Sequence, residues 1–173
     1  MNLSSPSARL ATATDCVKQV QVHLADAWLP RIYCEQILKM RTRAYKFPSI
    51  SKNAVPEIHH TLLGIELKVG RQRMLCPDLA TARYLAVFAR VGCERVAIPY
   101  DITKISRVAD ELEISWHRML LLSDRLAGDR SSEFRARVRR ALIAKVRDEI
   151  EKAGTGALMP KFNQSSKQPV KLN

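Results

Sequence analysis

The sequence predicts an α+β fold that is mostly helical: two N-terminal helices, a small three-stranded mixed sheet made of a hairpin and a βαβ unit, and two long C-terminal helices. Three observations carry this reading. Apolar residues step by three and four near both ends of the chain, they alternate with polar ones over 63–69, and strand, helix and strand patterns succeed one another over 72–98. With 173 residues, of which 46% are hydrophobic, the chain is long and apolar enough to bury one core and is not a disordered basic protein. The reading is a single globular domain over 13–153, between a flexible N-terminus (1–12) and a disordered basic tail (154–173).

Val17, Val20, Leu24 and Trp28 place one stripe on a first helix from Thr14. Val20, Val22 and Leu24 also alternate, which leaves a strand as a second reading. Pro30 suits the first turn of a second helix carrying Ile32, Tyr33, Ile37 and Met40, and this helix stops before Pro48. Residues 48–56 then read as a connector. Leu63, Ile65, Leu67 and Val69 alternate with Gly64, Glu66 and Lys68, as in a half-buried strand. Gly70-Arg71 turns it into a second strand over Gln72–Cys76. Asp78 caps a mostly buried helix that Gly92 ends, and Val96-Ala97-Ile98 forms an interior strand closed by Pro99. A crossover helix of that length implies a parallel strand pair.

Two helices follow. Thr103 can cap the first, which ends near Gly128. The second begins at Ser131–Glu133, holds Phe134, Val138, Leu142, Val146 and Ile150 at i+4 spacing, and ends at Gly154.

The formal net charge is +12 and the pI about 10.0. Residues 1–60 hold 8 basic and 4 acidic side chains, 61–128 hold 10 and 8, and 129–173 hold 11 and 5, so the excess lies in the flanks. The start has no basic-then-apolar signal pattern, and no stretch is apolar over the ~20 residues a membrane span needs. A cytoplasmic protein with no membrane partner is expected. Cys16, Cys34, Cys76 and Cys93 form no CxxC pair, which excludes a zinc ribbon and predicts buried, reduced thiols.

The strongest functional signal is arginine. Arg135, Arg137, Arg139, Arg140 and Arg147, with Lys145, crowd the last helix; Lys39, Arg41, Arg43 and Lys46 crowd the end of the second; Lys68, Arg71 and Arg73 surround the hairpin turn. The planar guanidinium donates two hydrogen bonds to one phosphate. Arg135 to Arg140 also lie in the first turns of their helix, where the dipole disfavours cations by about 0.3–1 kcal/mol each, so something else selects them. Residues 105–122 resemble helix-turn-helix spacing, which would turn Ser115, Trp116, His117 and Arg118 toward bases; the alternative is one amphipathic helix over 103–127. The motif's usual turn glycine is replaced by Glu113.

Non-enzymatic nucleic-acid binding, to DNA or RNA, is therefore the expectation, with Arg41, Arg43, Arg71, Arg73 and the arginines of the last helix on phosphates and Trp116 and His117 on bases. The alternative is an adaptor that docks a basic face on an acidic protein. A third reading is a magnesium-dependent nuclease using Glu66, Lys68, Asp78 and Asp101, the last two following the ends of the expected parallel strands. His59 and His60 would point to opposite faces of a strand and chelate poorly together. With no glycine-rich phosphate loop or dinucleotide fingerprint, neither cofactor nor metal is expected.

Overall fold

The structure, a computed structural model, describes residues 10–50 and 54–156. Helix α1 (Ala13–Leu24) begins at a capping box: Thr12 Oγ1 accepts from Asp15 N at 3.2 Å, and Asp15 Oδ2 accepts from Thr12 N at 2.9 Å. Its stripe is Cys16, Val17, Val20 and Leu24, all buried, while Val22 points to solvent, so the helical period is the one adopted. After a 3-10 turn, α2 (Leu29–Ile32) has Pro30 in its first turn and continues as a π-helical turn over Tyr33–Ile37. The helix ends there. Lys39 to Lys46 do not prolong it, because β1 (Thr42–Lys46) pairs with a distant strand and puts Tyr45 edge-on against Phe47, ring centroids 5.1 Å apart.

The expected mixed sheet is two antiparallel sheets. The first comprises β2 (Pro56–Thr61), β3 (Gly64–Val69) and β4 (Gln72–Cys76). Pro56, read as connector, opens β2, whose sequence Pro-Glu-Ile-His-His-Thr carries too little apolar alternation to be seen. After β4 comes α3 (Leu79–Val91), capped by Asp78 Oδ1 on Thr81 N at 2.7 Å and closed by Gly92 in the left-handed region.

The crossover does not return to the same sheet. Strand β5 (Arg95–Pro99) pairs antiparallel with β1, from Thr42 opposite Pro99 to Lys46 opposite Arg95. Its other edge is closed by side chains: Ala97 N donates to Tyr33 Oη at 2.9 Å, and Tyr84 Oη donates to Ala97 O. With one edge taken by β1 and the other satisfied by buried phenols, β5 has no ladder left to offer β4.

Helices α4 (Ile102–Ala127) and α5 (Ser132–Ala153) complete the chain. Residues 105–122 form one uninterrupted helix, in agreement with the single-helix reading over 103–127 and not with a helix-turn-helix; its cap is Asp101, not Thr103, whose hydroxyl donates to Asp101 Oδ1 at 2.6 Å. All five i+4 residues of α5 are buried, and Leu142, Val146 and Ile150 join the central core with Tyr33, Tyr84, Phe88 and Leu112. Beyond α5, Tyr33 Oη donates to Gly154 O at 2.5 Å and Thr42 Oγ1 to Thr155 O at 3.2 Å. Residues 1–9 and 157–173, most of the segments expected to be disordered, lie outside the described residues.

All four cysteines are free thiols; Cys16, Cys76 and Cys93 are buried, but Cys34 is exposed on the π-helical turn. Burial pushes the Cys93 thiol up to about 12. No helix among the described residues is long and apolar enough to cross a membrane.

Candidate nucleic-acid interface

Three of the α5 arginines, two of them exposed, bond to neighbouring helices. Arg135 donates through Nε and Nη2 to Gly128 O, at 3.1 and 2.6 Å, at the end of α4. Arg139 forks onto Asp124, with Nε 3.0 Å from Oδ1 and Nη2 2.5 Å from Oδ2. Arg147 donates through Nε to Val91 O at 3.0 Å, at the end of α3, and its guanidinium lies against Gly92 where a Cβ would touch it. Two neighbouring helices thus end on α5 arginines, which meet orphan carbonyls and the negative ends of their dipoles. For Arg135 the cost at one helix start is offset at another helix's end, and for Arg139 by the Asp124 carboxylate. Arg137 lies 3.6 Å from Glu133, both exposed, and Arg140 alone of the five predicted residues has no partner among the described residues.

The other predicted residues are scattered. Arg71 sits at the β3–β4 turn, and Arg73 lies 3.5 Å from Glu66 across the ladder. Trp116 is buried at 7% exposure, which removes it as a base contact. His117 is exposed, with Nδ1 2.8 Å from Glu113 O on its own helix. The premise of the nuclease reading is overturned, because no parallel strand pair exists among the described residues and Asp78 and Asp101 are helix caps. Lys68 is 4.0 Å from Glu57, and His59 Nε2 is 3.0 Å from the same carboxylate; His60 points to the other face. No cluster of three His, Cys, Asp or Glu that could hold a metal is present among the described residues.

The structure instead gathers cations that the sequence separates. The end of the π-helical segment and the first turns of α4 enclose two hollows, of about 490 and 530 Å³, that share Met40 and Lys104. Lys39 and Arg41 stand on one lip, Lys104 and Arg107 on the other, and Asp101 is the one carboxylate in the lining. Tyr100 N donates to Arg41 O at 3.0 Å, extending the β1–β5 ladder, and this pairing sets the Arg41 guanidinium 5.2 Å from the centroid of the half-exposed Tyr100 ring. Strand alternation puts Arg43 on the same face as Arg41, about 7 Å further along.

Several groups hold the groove in place. Gln36 Nε2 donates to Glu111 Oε2 at 2.7 Å, tying one wall to the other, and Glu111 also lies 3.4 Å from Arg107. Hydrogen bonds from Thr103 hold the Asp101 carboxyl below its ordinary value, with Lys104 3.8 Å away adding to the effect. A larger hollow of about 680 Å³ lies between residues 46–50 and the end of α3; Lys46 is the one cation in its lining.

Of the predicted residues, Arg41 lines this groove and Arg43 does not; Arg135, Arg139 and Arg147 are committed elsewhere. Lys104, Arg107 and Tyr100 were missed, since as single residues they form no run, and only the fold of 36–41 against 100–108 joins them. No protein family, curated protein or solved structure matches the chain.

Proposed function

We propose that this protein binds nucleic acid, and that the groove between the π-helical segment and the start of α4 receives its phosphates. One observation carries the reading: Lys39, Arg41 and Lys104 line one hollow, Lys104 and Arg107 line the hollow beside it, and Asp101 is the single carboxylate of the two linings. Lys104 and Arg107 already face Asp101 and Glu111, yet the cations still outnumber the carboxylates of the lining, an excess that favours an anionic polymer able to displace counterions. The net charge of +12 adds a favourable field over the whole molecule.

The test is a titration of the protein with labelled oligonucleotide at 50 and 200 mM salt, in competition with a heparin-like polyanion. Nucleic acid should outcompete the heparin-like control, and affinity should fall steeply with salt. Lys104→Glu/Arg107→Glu should lower both affinity and salt slope. If the control competes equally and the double variant binds as well as wild type, the groove is not a nucleic-acid site. A protein partner is the second reading, favoured by Leu62 and Leu63, which are almost fully exposed at the β2–β3 turn beside Leu75.

A further inference from the structure

The groove's shape and its one aromatic residue narrow the partner further. Reading a duplex requires a protruding element that carries polar side chains into the major groove. The segment with that spacing is the unbroken α4, whose Trp116 is packed in the core, and α5 lies along the core through five buried residues. The cations instead line a hollow. Phosphates can reach its lips, but a base enters only if it is unstacked, and the bases of a duplex are stacked inside it.

At one end of the hollow, Tyr100 is 48% exposed, and the Arg41 guanidinium lies over its ring at 5.2 Å. An exposed phenol ring with a guanidinium beside it offers two flat surfaces on which a base can stack, and stacking of this kind tolerates any base. Aromatic side chains on exposed surfaces lose hydration when covered, so the ring favours an occupant with a flat apolar face over a bare polyanion.

We infer that the groove takes a single-stranded nucleic acid, with its phosphates against Lys39, Lys104 and Arg107 and one base stacked on the Tyr100–Arg41 pair. This rests on the nucleic-acid reading above. It adds that single strands are preferred over duplexes, that the preference comes from one ring, and that charge supplies affinity without sequence choice.

The experiment uses the full chain and labelled oligonucleotides of about 15 residues, single-stranded and duplex, at 50 and 200 mM salt. Single strands should bind more tightly than duplex. Tyr100→Ala should weaken single-strand binding by roughly 5- to 100-fold without changing the salt slope, because stacking releases no counterions. Tyr100→Trp should restore it. Lys104→Glu/Arg107→Glu should reduce the salt slope by about 0.7 for each phosphate no longer neutralised. Circular dichroism of each variant checks that folding is intact, and Tyr100→Leu, which keeps apolar bulk without a ring, should lose binding as Tyr100→Ala does and keeps the test decisive if the Ala variant folds poorly. Equal or tighter duplex binding, or unchanged affinity in a folded variant lacking the ring, Tyr100→Ala or Tyr100→Leu, overturns the single-strand inference; if the double variant still loses its binding, the broader nucleic-acid reading survives. Failure of the double variant to alter any oligonucleotide affinity removes both, and tighter binding of a poly-glutamate peptide than of any oligonucleotide assigns the groove to an acidic protein.

Discussion

Two groups of cations in this molecule differ in what surrounds them. On α5, Arg135, Arg139 and Arg147 end on Gly128 O, Asp124 and Val91 O. At the start of α4, Lys104 and Arg107 face Lys39 and Arg41 across a hollow. The 20 residues from Lys104 to Asp124 span about 30 Å of α4, so the two groups sit near opposite ends of one helix and form no common face. The denser cluster in sequence is the one spent on structure. Arg135, Arg139 and Arg147 spend their donors on carbonyls and a carboxylate of their own chain, while Lys104 and Arg107, in their pairs with Asp101 and Glu111, stay 60% and 79% exposed to a phosphate.

Charge reversal separates the groups most sharply. Lys104→Glu/Arg107→Glu should lower oligonucleotide affinity by roughly a hundredfold at low salt and leave the thermal midpoint within a few degrees of wild type, measured by titration and thermal melting. A large loss of stability with no change in binding would invert the comparison.

Next in size is Arg147→Met, which keeps the aliphatic stem but leaves Val91 O without its donor. Denaturant unfolding should show a loss of about 1–3 kcal/mol, with binding unchanged. A stability equal to wild type would mean that water replaces the guanidinium at the end of α3.

Arg139→Ala tests a more exposed contact, expected to contribute about 0.2–1 kcal/mol. Its signature is in the pH dependence. Hydrogen bonds from Arg139 hold the Asp124 carboxyl below its ordinary value of about 3.9. A native value below the unfolded one stabilises above the unfolded value, and that stability is lost as pH falls through the native value. The difference between wild type and Arg139→Ala should therefore be present at pH 7 and shrink away as acid protonates the Asp124 carboxyl, below the ordinary carboxylate range. A difference that persists in acid would assign the effect to the packing of the arginine stem.

The smallest effect belongs to Arg140→Glu. This exposed side chain has no partner among the described residues, so stability should change by less than about 0.5 kcal/mol and binding by less than about twofold. A loss of binding as large as that of the groove variants would restore α5 to the interface.

Much of this fold was legible because its signals are local. The i+4 run from Phe134 to Ile150, the cap at Asp78 and the left-handed stop at Gly92 depend on neighbours a few residues away. Strand β5 was visible for the same reason: Val96, Ala97 and Ile98 form a short apolar run that ends at proline. Its partner was not visible, because β1 and the phenols of Tyr33 and Tyr84 lie far from it in the chain. Strands β1 and β2 escaped notice because their alternation is filled largely with charged and polar side chains.

The sequence by itself determined most of the helices, the β3–β4 hairpin, which residues are apolar enough to be buried and a strong positive charge, since periodicity and composition follow from the residues alone. Tertiary structure decided which strand β5 would meet, which arginines would close the ends of other helices, and which cations would face one another. These outcomes rest on contacts between residues tens of positions apart, such as Arg41 with Tyr100 and Arg147 with Val91. A guanidinium carries the same charge in either setting. Its availability depends on the acceptors that the folded chain brings within hydrogen-bonding distance.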